Sequence, residues 1–158
     1  MTPDPPPVSL ILTQKEIPHQ VFIHRGPLHS LEQAAEERGQ HPAQIVRSIL
    51  FRISKGIYVM VLMAGPVQIN WKILRKNLGE NRLTLASKEE VLNVTGYQLG
   101  AVTPLGLTQL IKIYVDRSVL EQQTISIGSG IRGTAIILKS ADLIRALGDH
   151  EIGDFGNA

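Results

Sequence analysis

Three groups of residues in this sequence could do chemistry: backbone amides flanked by glycine at 128–133, a cation inside an apolar run at Arg47, and histidines at 19, 24 and 29. Gly128-Ser129-Gly130-Ile131-Arg132-Gly133 has the spacing of a dinucleotide fingerprint and follows a β-branched run. That fingerprint must open a helix whose N-terminus receives the pyrophosphate, yet Thr134-Ala-Ile-Ile-Leu138 reads on as a strand. Two readings stay open. The glycines either expose amides that hold an anion or oxyanion, or they form a tight hairpin needing positive φ. Ser129 is not a nucleophile elbow, because that motif needs Gly two places to either side, where Ile127 and Ile131 stand.

Alternation along Ile45-Val-Arg-Ser-Ile49 puts Arg47 on the face of Ile45 and Ile49. A charge there is costly unless paired, so Arg47 is a candidate for an anionic or carbonyl group; the competing reading is a solvated sheet edge. The histidines recur every fifth residue, which fits neither a strand face nor a helical metal pair, and no metal site is expected. Of the three, His24 is placed to point into a pocket. Gly100-Ala-Val-Thr-Pro-Leu-Gly106 is too apolar for an exposed loop and too punctuated for a strand, so a rigid buried loop shaping a cavity is expected. Lys72, Arg75 and Lys76 share one helical face, either merely solvated or a strip of phosphate contacts.

The elements that must position these groups are short and intermixed. Ser30…Gln33 and Ser87…Glu90 are capping-box patterns opening helices over 31–38 and 88–95. Trp71, Leu74 and Leu78 mark a third helix, ended by Gly79, and 141–147 a last one. Runs 45–53 and 57–64 around Ser54-Lys-Gly56 predict a hairpin, and the second run is apolar enough to be covered on both faces. Three more strands are expected at 111–115, 124–127 and 134–138. Such an order favours an α+β fold with a mixed sheet or barrel.

Length and composition set the outer limits. A chain of 158 residues, 43% hydrophobic and only 4% aromatic, has room for one aliphatic core. Its formal charge of +2 excludes a polybasic binder while permitting a local basic face. The absence of cysteine removes disulfides, thiolate zinc sites and thiol nucleophiles. The longest apolar run, 57–64, is far short of the roughly 20 residues a bilayer needs. Met1-Thr-Pro-Asp-Pro-Pro-Pro7 does not read as a signal peptide, so a cytoplasmic protein is expected, with residues 1–8 a disordered Pro-rich lead-in, 9–150 one domain and 151–158 a loose tail.

Taken together, Arg47-Ser-Ile-Leu-Phe51, Thr95-Gly-Tyr-Gln-Leu-Gly-Ala-Val-Thr-Pro-Leu-Gly106 and Ile127-Gly-Ser-Gly-Ile-Arg-Gly133 resemble the YbaK/EbsC family. Its members are free-standing relatives of the editing domain of bacterial prolyl-tRNA synthetases. The similarity runs in order from about Ile17 to Leu147. It implies a mostly antiparallel, barrel-like sheet with packed helices, and hydrolysis of mischarged aminoacyl-tRNA without metal, cofactor or covalent intermediate. The alternative it leaves is a catalytically impaired module of the same fold that binds tRNA or a synthetase. By the resemblance, Gly100, Ala101, Val102, Thr103 and Pro104 face the terminal adenosine, and Gly128, Ser129 and Gly130 border the aminoacyl pocket. His24 and Arg132 are the other expected substrate contacts, and Lys72, Arg75 and Lys76 the expected tRNA-backbone contacts. Arg47 aligns with a catalytic lysine. A tyrosine, a serine and an aspartate usual in the YbaK branch are replaced here by His24, Gly128 and Ala135, so cysteinyl-tRNA specificity is not carried over.

Overall fold

In a computed structural model that describes residues 4–157, the chain runs α1 (Pro7–Gln14), β1 (Gln20–Ile23), α2 (Leu31–Arg38), β2 (Val46–Ser54), β3 (Ile57–Ala64), α3 (Trp71–Leu78), β4 (Thr84–Leu85), α4 (Lys88–Thr95), β5 (Lys112–Asp116), β6 (Thr124–Gly128), β7 (Thr134–Lys139), α5 (Ser140–Ala146) and β8 (His150–Gly153). Five strands form a mixed sheet in the order β4-β2-β3-β5-β8, and three form an antiparallel sheet in the order β1-β7-β6. Antiparallel pairing dominates; only β3–β5 and β5–β8 are parallel. A single parallel bridge, Ile45 to Ser126, joins the two sheets without closing them into a barrel. The expected α+β architecture is the one observed.

The period of two in β2 and β3 sorts their side chains onto two cores. Val46, Leu50, Met60, Leu62 and Ala64 face one shared with α1, α4, α5, β6 and β7, while Phe51, Val59, Val61 and Met63 face another closed by Leu74 of α3, Tyr114 and Phe155. The strand apolar at every position is therefore the one covered on both sides. Burying each such aliphatic side chain contributes roughly 1.5–3 kcal/mol, and the scarcity of aromatics leaves most of this to Ile, Leu, Val and Met. Both capping serines act as expected. Ser30 Oγ accepts the Gln33 N–H at 3.0 Å, and Ser87 and Glu90 bond reciprocally at 3.2 and 3.0 Å.

Both ends of the chain differ from expectation. Residues 1–3 and 158 of the predicted lead-in and tail lie outside the described residues, but Pro7 and Val8 begin α1, with Val8 and Leu12 fully buried. A proline-rich run masks this helix start, because proline is well suited to the first helical position, where its missing N–H has no partner to lose. At the other end β8 pairs with β5, and Phe155 is buried, its N–H donating to Asp116 Oδ1 at 2.7 Å. The Asn157 N–H donates to Gln68 O at 2.9 Å. Residues 151–157 are thus a strand and an anchored turn.

Candidate active site

Where the two sheets meet, the surface opens into a cleft of about 250 Å3. β2 contributes Val46, Arg47 and Ser48; the irregular segment before β5 contributes Leu99, Gly100 and Val102; and Ile127 and Gly128 come from β6. Thr134 of β7, Ile45 just ahead of β2 and Arg38, the last residue of α2, complete it. Stretches spread along the chain from Arg38 to Thr134 are brought to one hollow.

The segment and the glycine turn are built against each other. A Cβ on Gly128 would lie 2.1 Å from the Val102 carbonyl oxygen, so only glycine admits this approach. The Gly130 N–H donates to Ala101 O at 3.1 Å and Arg132 Nε to Leu99 O at 2.9 Å. From the other side α1 braces the turn: the Val8 N–H donates to Ser129 O at 3.2 Å, and Pro7 sits 3.1 Å from where a Gly130 Cβ would be. The Thr95-Gly-Tyr97 block fixes the far end. Thr95 Oγ1 donates to Val91 O at 2.6 Å and accepts the Tyr97 N–H at 3.0 Å; the buried Tyr97 hydroxyl donates to Leu105 O at 2.6 Å.

Of the expected site residues, Arg47, Gly100, Val102 and Gly128 share the cleft. Ala101 and Thr103 are buried and are not part of its lining. Pro104 faces away, into a larger cleft of about 910 Å3 that it shares with Ile11, Leu107 and Leu147. Ser129 is fully buried, and its hydroxyl is taken up by Ile131 and Thr134. The Gly130 amide is likewise committed to Ala101, so it is no free oxyanion donor. Arg132 is exposed beside the segment, outside the cleft lining. Lys72, Arg75 and Lys76 lie on α3, away from the cleft, and Leu74 anchors that helix to the second core.

Arg47 does lie on the Ile49 face, and its charge is accommodated by backbone. Nε donates to Gly65 O at 2.8 Å and Nη2 to Val67 O. Burial pushes its pKa down, but a guanidinium remains protonated.

His24 does not reach the cleft. It sits behind Arg38, its side chain fully buried, with Nδ1 2.9 Å from Glu37 Oε1 and Nε2 receiving Arg38 Nε at 3.0 Å. Arg38 Nη1 donates on to Ser126 Oγ at 2.8 Å. Arginine has only donors, so His24 Nε2 accepts from Arg38, and Nδ1 is the nitrogen that faces Glu37. This hydrogen bond to His24 is the main reason the Glu37 carboxyl lies below the usual carboxylate range. Sequence reading missed Arg38, which looks like an ordinary cation in a last helical turn. Among the described residues no cluster of potential metal ligands occurs, and no helix is long and apolar enough to cross a membrane.

A family model described as an aminoacyl-tRNA editing domain matches residues 25–146. The chain is 33% identical over 114 residues to the uncharacterized protein YwhH of Bacillus subtilis, covering 72% of each. It is 32% identical over 107 residues to a proline–tRNA ligase of Kosmotoga olearia, covering 68% of this chain but 18% of the ligase. Against a proline–tRNA ligase of Staphylococcus aureus the figures are 29% over 133 residues, 84% of this chain and 23% of the ligase. The chain thus spans about a fifth of the synthetases it matches. In fold it resembles the crystal structure of a candidate trans-editing enzyme for prolyl tRNA synthetase, with a TM-score of 0.81 at 23% identity over 89% of this chain and 87% of that one.

Proposed function

Because the chain belongs to the aminoacyl-tRNA editing domain family, we propose that it is a cytoplasmic deacylase acting in trans on mischarged aminoacyl-tRNA. The observation that carries this reading is the cleft itself, where Arg47, the Gly100–Val102 segment and Gly128 converge. An aminoacyl ester is already activated. Water adds to its carbonyl carbon, the bond to the ribose oxygen breaks, and that oxygen takes up a proton, giving free amino acid and tRNA. A neighbouring ribose hydroxyl can assist, so no protein nucleophile is required, consistent with a Ser129 hydroxyl occupied elsewhere. The protein's part is to position the ester and meet the developing negative charge. With the Gly130 amide committed, that task falls to the Arg47 guanidinium, held in place by two carbonyls.

Incubation with a panel of mischarged tRNAs tests the reading: release of at least one amino acid above the spontaneous rate is expected, and none would overturn it. Arg47→Ala should lower turnover about 10²–10³-fold, as loss of one preorganised donor typically does, with the fold intact by circular dichroism. Unchanged turnover would remove Arg47 from the mechanism. One observation favours a second reading, a binding module without catalysis: Arg47 stands where the resembled family has lysine, and two of its nitrogens are already engaged. That reading predicts saturable, salt-dependent binding of aminoacyl-tRNA, or of a synthetase, with no ester cleavage.

A further inference from the structure

The geometry points to Arg38 as the anion-binding residue of the cleft, held in position by Glu37, His24 and Ser126, and taking a phosphate or carboxylate group carried by the substrate. The inference rests on the preceding reading in taking the cleft as the substrate site. Two arginines line a hollow of about 250 Å3, and none of the described residues lining it is acidic. Arg47 directs Nε and Nη2, one edge of its guanidinium, at backbone carbonyls, whereas Arg38 donates to side chains, Nε to His24 and Nη1 to Ser126. This leaves its Nη2 amino group, without a partner among the described residues, for a ligand. Its tethers are themselves fixed: His24 is fully buried, accepts through Nε2 and faces Glu37 through Nδ1, and Ser126 is fully buried on β6. Burial lowers the Arg38 pKa, which is the desolvation cost an incoming anion would offset. Ser48 lines the same cleft, and its buried hydroxyl has no hydrogen-bond partner among the described residues, a second polar group with unused capacity.

An unengaged guanidinium amino group of this kind suits an oxygen of phosphate or carboxylate as a charge-assisted donor. On a charged tRNA those oxygens come either from the phosphate of the terminal nucleotide or from an acidic side chain of the esterified amino acid. A cleft lined by two cations and no carboxylate is also poorly suited to clasping an α-ammonium by ion pairing, so selection falls on the anionic part of the ligand.

Titration of the full-length 15N-labelled protein, followed through the Arg38 Nε–H resonance, tests this without ester cleavage. One arm compares AMP with adenosine; the other compares 3′-aspartylamido-3′-deoxyadenosine with its asparaginyl counterpart. In at least one arm the anionic member should bind wild type more tightly, and that arm identifies the source of the anion. Arg38→Ala should weaken that member about ten- to a hundredfold, the usual range for a hydrogen bond to a charged group, and leave its neutral counterpart within about twofold. For this variant binding is read from backbone amides of the cleft. His24→Phe and Ser126→Ala should each reproduce part of the same selective loss; either serves if the other fails to fold. Equal binding of anionic and neutral members to wild type in both arms overturns the inference, as does an Arg38→Ala protein that keeps the preference. A protein that shows Arg38-dependent binding but releases nothing from any mischarged tRNA retains this inference and loses the deacylase reading. A deacylase without anion preference does the reverse.

Discussion

At the scale of single residues, the site depends on atoms that spacing along the chain does not reveal. Gly128 was marked in the sequence as part of a glycine turn, but the reason for glycine is the Val102 carbonyl occupying the place of a side chain. Serine, usual at this position in the YbaK branch, cannot be restored without moving the segment. Gly128→Ser should therefore destabilise the protein by about 1–3 kcal/mol, the common cost of overpacking, in urea denaturation, and should disturb the resonances of residues 99–104 more than those of α3. A variant as stable as wild type would mean that the segment yields freely. Arg38 was illegible for a different reason. Its partners His24 and Ser126 stand 14 and 88 residues away, and no local periodicity links them. The sequence places His24 to point into a pocket, whereas in the structure its ring meets two other side chains, Glu37 and Arg38.

At the scale of elements, local chemistry was the best guide. The serine caps before α2 and α4, the helix over Trp71–Leu78 and the strand over Ile57–Ala64 follow directly from residue types, although Gln33 takes the His29 N–H and not that of Ser30. Missed were elements stabilised by distant contacts: α1, whose buried face is hidden in a proline-rich run, and β8, a polar strand paired through its backbone. The α4 cap also carries a pH signature. Glu90 is held at about 2, chiefly because the Tyr58 hydroxyl donates to it at 2.6 Å, with the Ser87 N–H and the Arg52 guanidinium adding to the effect. A carboxylate whose folded pKa lies below its unfolded value contributes stability that is full above the unfolded range near 4.3 and lost as pH falls toward 2. Thermal melts between pH 5 and 2 should show wild type losing more stability than Glu90→Gln over that window; parallel curves would refute the assignment.

At the scale of the whole molecule, two sheets joined by one bridge leave a seam, and the cleft is that seam. The mixture of helices and strands indicated the class of fold, but not that Gly100 and Pro104, four residues apart, would face different hollows. The basic face of α3 lies apart from the cleft, where it would meet a different portion of a large, phosphate-rich partner. Joint replacement of Lys72, Arg75 and Lys76 by alanine should weaken tRNA binding uniformly across sequences and reduce the slope of log K against log salt by roughly 0.7–0.9 per lost phosphate contact. Binding of a mononucleotide should not change. An unaltered salt slope would make the strip an ordinary solvated surface.

The brace of α1 against the glycine turn carries a practical consequence for anyone handling this protein. Pro7 and Val8 touch the back of the turn whose front faces the cleft. An affinity tag, a fused partner or a protease scar placed just ahead of Pro7 thus adjoins a helix start that bears on the glycine turn. Specificity assays should compare tagged and untagged preparations before any difference in substrate choice is credited to the sequence itself.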